Sequence, residues 1–129
     1  MDSFTLTTTL PTSSEDIYNA WLSSEGHSQM TGSQAEVEGG SGRTFKAWDG
    51  YIWGRTLETE SNRLILQAWR TSEFPEDSPD SRVEILFEET TDGTKITLTH
   101  TEIPDGQGEG YKQGWEDFYF TPMRAYFSK

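Results

Sequence analysis

The sequence predicts an α+β domain in the order β-α-β(6)-α, with a curved antiparallel sheet wrapped around a long C-terminal helix. Three observations carry this prediction. Apolar and polar residues alternate through most of the chain, and Gly, Asn and Asp punctuate the runs, the pattern of antiparallel strands with one buried face. A short amphipathic stretch interrupts the alternation early. From Tyr111 onward, aromatic residues recur at steps of three and four, the spacing of one helix face.

Phe4, Leu6, Thr8 and Leu10 alternate with Ser and Thr, giving a first strand that ends at Pro11. Thr12 with Glu15, or Ser13 with Asp16, forms a capping box, and Ile17, Ala20 and Trp21 then mark a helix over Ser13 to Leu22. Residues 24–32, SEGHSQMTG, read as no more than a helical turn or loop because they are polar and few. Strands are predicted at Gln34 to Glu38, Arg43 to Trp48, Tyr51 to Glu60, Leu64 to Arg70, Arg82 to Glu89 and Thr94 to Glu102. GGSG at 39–42, Asp49-Gly50, Ser61-Asn62 and Asp92-Gly93 suit the tight turns between them. SEFPEDSPDS at 72–81 is acidic and holds two prolines, so it reads as an exposed loop.

After Pro104 and a flexible DGQGEG loop, Tyr111, Trp115, Phe118, Tyr119, Pro122, Met123 and Tyr126 form one stripe on the terminal helix. Pro122 should kink that helix, since it lacks a backbone donor and collides with the carbonyl four residues earlier. The inward set of the sheet is Ile52, Ile65, Trp69, Val83, Ile85, Phe87, Ile96, Leu98 and His100, with Glu102 on the same parity as His100. Parity is ambiguous at two places: Tyr51 and Trp53 rival Ile52, and Leu64 and Leu66 rival Ile65. A bulge would settle it either way.

The size and composition set bounds. A chain of 129 residues fits one domain over 1–129, and five Trp, seven Phe and five Tyr supply a core, each ring burying ~150–250 Å². A net charge of −12 argues against nucleic acid and anionic membranes, both of which need basic patches. Without cysteine there is no disulfide framework, thiolate metal site or Cys nucleophile, which fits a reducing cytoplasm. The N-terminus lacks a secretory signal pattern, and no apolar run approaches the ~20 residues of a membrane span.

Gly39-Gly40 followed by Phe45, then DGYIWG at 49–54, LILQAWR at 64–70, Phe74-Pro75 ahead of SRVEILF at 81–87, GTKITLTH at 93–100, and the terminal GWEDFYFTPMRAYF stand in a characteristic order. Together with the element order they make the chain similar to the helix-grip fold of the START-like, or SRPBCC, superfamily, which includes lipid carriers and polyketide cyclases. Within it the chain resembles the branch named for the C-terminal domain of the activator of the ninety-kilodalton heat-shock protein ATPase, across almost its whole length. The resemblance implies a ligand cavity between sheet and terminal helix, or alternatively a co-chaperone-like contact with the heat-shock chaperone. The co-chaperone carries a further N-terminal domain, whereas here Met1 directly precedes the first strand, so small-ligand binding is the first expectation.

For that cavity the expected residues are Ile52, Trp69, Phe87, Leu98, His100, Trp115, Phe118, Tyr119 and Met123, holding a small hydrophobic or aromatic molecule. The rings either fill the space as ordinary core or line it, and His100 is either satisfied by a carboxylate or carbonyl neighbour or presents a polar group to the ligand. His27 is expected in a loop, and with no second histidine at ligand spacing no metal is expected. DGQGEG departs from the phosphate-binding glycine fingerprint and carries acids, so it reads as a lid or an inert loop rather than a nucleotide site, and no cofactor is expected. No Ser sits in a G-x-S-x-G elbow, and the many carboxylates read as solvated. The chain is therefore read as a non-enzyme, with a cyclase- or hydrolase-like activity based on His100 as the remaining alternative.

Overall fold

Antiparallel pairing organises the chain into a seven-stranded sheet in the order β1-β7-β6-β5-β4-β3-β2, in a computed structural model that describes residues 1–38 and 42–128. The strands are β1 (Asp2–Leu10), β2 (Glu36–Val37), β3 (Thr44–Ala47), β4 (Ile52–Glu60), β5 (Leu64–Thr71), β6 (Ser81–Thr90) and β7 (Gly93–Ile103). Helices α1 (Ser14–Trp21) and α2 (Ser24–Thr31) follow β1, and a helical run of α3 (Gly108–Trp115), a π turn (Glu116–Phe120) and α4 (Thr121–Phe127) ends the fold. This is the expected curved antiparallel sheet with a long C-terminal helix. Among the described residues no helix is long and apolar enough to cross a membrane.

The Ser13 and Asp16 cap is the one that forms: Ser13 Oγ accepts the Asp16 N–H at 3.2 Å, while Thr12 Oγ1 donates to the Asp16 carboxylate at 2.5 Å. Residues 24–31 form an eight-residue helix, longer than the helical turn or loop expected. Ser23 Oγ accepts the Gly26 N–H, and Gly32 closes the helix at φ 80°, where a side chain would be strained. Its polar sequence hid three buried residues, His27, Met30 and Thr31. The predicted strand at Gln34 to Glu38 shrinks to the two residues of β2, and residues 39–41 of the GGSG turn at 39–42 lie outside the described part.

The predicted inward set of the sheet is buried throughout, from Ile52 on β4 to His100 on β7. In β4, Ile52 and Thr56 face the core and Trp53 faces out by plain alternation, and the register shifts only beyond them, between Thr56 and Glu58. In β5, Ile65, Gln67, Trp69 and Thr71 face in. Glu102 does not share the face of His100. Its φ of 58° lies opposite a register shift on β1, which turns Glu102 out to an ion pair with Arg82 at 3.2 Å and turns Ile103 inward.

The terminal helix departs from the predicted stripe at its π turn. The Thr121 N–H reaches back five residues to the Glu116 carbonyl, and Pro122 follows at the start of α4. An extra residue in one turn advances the phase of everything after it by roughly 100°. Phe118 is 55% exposed and Phe120, outside the predicted stripe, is fully buried, while Tyr119 and Met123 are buried as the stripe predicts. Pro122 thus acts through a widened turn at a position where it has no N–H to contribute.

Candidate functional site

Three segments meet around one aromatic-walled cavity of about 410 Å³. Trp48, Tyr51, Ile52 and Trp69 form the sheet side, and Gly110, Tyr111, Gly114, Trp115, Phe118 and Tyr119 form the helical side. The β3–β4 turn places Trp48, Asp49 and Gly50 at φ 53°, 57° and 89°. Trp48 is a bulky residue in the left-handed region, a conformation that costs on the order of 1–3 kcal/mol. That strain holds its ring edge-on to Phe118, with centroids 5.4 Å apart.

Gly110 and Gly114 lie one helical turn apart on the same face. A Cβ at Gly110 would meet open space, and one at Gly114 would touch only the Phe118 ring at 3.9 Å. Missing side chains on the helix face therefore account for part of the cavity.

Of the residues expected at the site, Ile52, Trp69, Trp115, Phe118 and Tyr119 line the cavity. Phe87, Leu98, His100 and Met123 are buried in the core without forming its wall. His100 lies behind Trp69 and Trp115, with ring centroids 4.6 Å and 6.1 Å away. Both its nitrogens are engaged: Trp115 Nε1–H donates to Nδ1 at 3.1 Å, and Nε2 faces Ser81 Oγ at 2.8 Å. Because Ser81 Oγ–H donates to the Trp69 carbonyl at 2.6 Å, the chain of donors is consistent with the proton on Nε2. Burial lowers the His100 pKa to about 3, so the ring is neutral. A base so enclosed and so weak gives no support to a catalytic role.

His27, expected in a loop, sits on α2 beneath the cavity. Its Nδ1–H donates to the Trp21 carbonyl at 3.0 Å, which leaves Nε2 to accept from the Tyr119 hydroxyl at 2.8 Å. Burial lowers the His27 pKa and raises that of Tyr119, so the pair stays neutral. The Trp48 indole N–H is near enough to Tyr119 to act against that rise. It is buried and makes no hydrogen bond of ordinary geometry with any described residue. Sequence reading missed this polar pair because its members lie 92 residues apart.

The mouth carries the remaining polar groups. Thr71 Oγ1 lies 2.6 Å from the Tyr111 hydroxyl, which donates to Gln107 Oε1 at 2.8 Å. Gln107 Nε2 donates to the Glu73 carbonyl at 3.0 Å, and the Tyr51 hydroxyl donates to the Glu73 carboxylate. The DGQGEG segment is pinned rather than free: Gly106 and Gly108 donate to Asp2 Oδ2 at 3.0 and 2.9 Å, and α3 begins within it. The 72–81 loop is also anchored. Phe74 is buried beside Trp69 and Tyr111, and Arg70 binds the Ser78 and Pro75 carbonyls and Asp80.

The profile of the family described as "Activator of Hsp90 ATPase homolog 1-like protein" matches residues 11–128. The chain belongs to that family. Similar curated proteins include the human "Activator of 90 kDa heat shock protein ATPase homolog 1", 26% identical across 95% of this chain, and the mouse homolog 2, 28% identical across 93%. This activator-homolog chain spans 36% of the length of each. Among solved structures, an HSP90 activator from Plasmodium falciparum superposes with a TM-score of 0.84 at 26% identity, covering 95% of this chain and 94% of that one. The Aha1 dimer from Colwellia psychrerythraea shares the fold, with a TM-score of 0.79 at 16% identity over 98% and 97% of the two chains. The helix-grip, START-like architecture of this activator homolog is thus the one its sequence predicts.

Proposed function

We propose that this Hsp90 ATPase activator homolog 1-like chain holds a small hydrophobic or aromatic molecule between its sheet and its C-terminal helix. The cavity carries the reading. Its volume of about 410 Å³ falls in the ~300–1,000 Å³ range of small-molecule sites, and such sites combine apolar walls with few polar groups. The Tyr51 and Tyr111 hydroxyls, on two of the lining residues, supply such groups.

Native mass spectrometry of the purified protein, followed by thermal-shift screening of fatty acids and aromatic metabolites, tests this. A bound mass and a ligand-dependent rise in Tm are expected. Gly114→Leu places a side chain into the cavity from a helix position with room for it, so it should fold and lose the shift. No bound mass and no shift with any compound would overturn the reading.

A second reading follows from the family itself. Relatives named as activators of the 90 kDa heat-shock protein ATPase match over 93–95% of this chain, which supports a protein-interaction role with such a chaperone. ATPase assays with the chaperone from the same cell should then show a dose-dependent change. An unchanged rate at high micromolar protein would count against it.

A further inference from the structure

We propose that the cavity selects a cationic ligand, an alkylated ammonium carried on an aromatic ring. This rests on the small-molecule reading above and narrows it. Seven of its ten lining residues are Trp, Tyr or Phe, and Lys, Arg and His are absent from the lining. Aromatic walls present negative ring faces, which attract an ammonium and give nothing to a carboxylate or phosphate. An anion entering here would lose its hydration without gaining a positive partner.

The surroundings have the same sign. Segments 47–53, 69–80 and 108–120, which build the walls and mouth, carry eight acidic residues against Arg70 and Lys112. Arg70 is paired with Asp80 at 2.8 Å, and Glu116 with Arg124 at 2.6 Å, which leaves six of the eight acids outside these two pairs against Lys112. Glu73 lies outside the lining but is tied to it through the Tyr51 hydroxyl, and its charge acts on both Tyr51 and Tyr111. An ammonium can therefore sit among the rings with a carboxylate nearby, while low-dielectric walls focus the acidic field at the entrance. The cavity exceeds an ammonium head, and the remaining lining is mostly aromatic, against which an aromatic tail can pack.

The test is a matched series followed by intrinsic Trp fluorescence and calorimetry at fixed ionic strength. Benzyltrimethylammonium is the cation, neopentylbenzene its neutral carbon isostere, and 3-phenylpropionate the anion. The cation should bind about tenfold more tightly than the isostere, with no detectable binding of the anion. Glu73→Gln keeps an acceptor for Tyr51 and removes the charge. It should weaken the cation about threefold and leave the isostere unchanged. Gly114→Leu should abolish cation binding.

Equal or tighter binding of the isostere, or preference for the anion, would overturn the cation proposal while leaving a ligand cavity in place. Cation binding that survives Gly114→Leu would place it on the acidic surface and overturn the proposal equally. Failure of all three probes on the wild-type protein would remove this inference, and the wider screen above would then decide the parent reading separately.

Discussion

His100 shows how much of this site is set by single protons. Trp115 N–H occupies Nδ1, and the proton on Nε2 points at Ser81, so protonating the ring would place a second N–H against an N–H donor. Burial adds to that penalty and lowers its pKa from the ordinary 6.5 to about 3. The unfolded chain therefore takes up the proton first as pH falls. The stability contributed by neutral His100 is complete above pH 6.5 and is lost progressively toward pH 3, at about 1.4 kcal/mol per pH unit. Urea unfolding as a function of pH should show this slope, and His100→Gln should flatten it by about that amount whatever its effect on stability at neutral pH. At the same scale, the sequence placed His100 inward on its strand, but its partners come from β6 and α3. No spacing in the sequence announces Ser81 or Trp115 as its neighbours.

At the level of elements, close backbone approach and helix phase shape the site. Gly54 on β4 lies opposite Trp69 on β5, and a Cβ there would come within 1.9 Å of the Ala68 carbonyl oxygen and 3.0 Å of the Phe45 ring. Gly54→Ala should therefore destabilise the protein by about 3 kcal/mol, seen as a lowered urea midpoint. Gly110→Ala, with open space around its Cβ, should raise the midpoint through the helix preference of Ala, by about 0.8–1 kcal/mol. Strand positions were legible because alternation has a period of two and burial on one face enforces it. The terminal stripe was legible at Trp115, Tyr119 and Met123, which are buried, but not at Phe118 and Phe120, whose exposure and burial within the π turn a constant period does not anticipate. Helix α2 was misread for a different reason. Its caps, Ser23 and Gly32, went unread, and what stabilises so polar a segment includes a bond from Tyr119 on the far helix to His27.

Across the whole molecule, β1 joins the sheet beside β7, so the opening residues complete what the closing ones need. Asp2 on β1 accepts two backbone N–H groups at the start of α3, and the adjacent Gln107 makes no side-chain cap of its own. Asp2→Ala should cost about 1 kcal/mol, and hydrogen exchange should quicken at Gly106 and Gly108 before it does in the strands. By itself the sequence determined the architecture: alternation, turn residues and helical spacing are local signals, and their order admits one layer of sheet closed by a terminal helix. It also supplied the aromatic side chains of the cavity. Tertiary structure alone decided which of them became wall and which became core. That division depends on the left-handed turn at Trp48, the phase shift of the π turn and the missing side chains at Gly110 and Gly114, whose effects exist only where sheet and helix face each other. The carboxylate of Glu73 came to the site in the same way, through its bond from the Tyr51 hydroxyl of a different segment, 22 residues away.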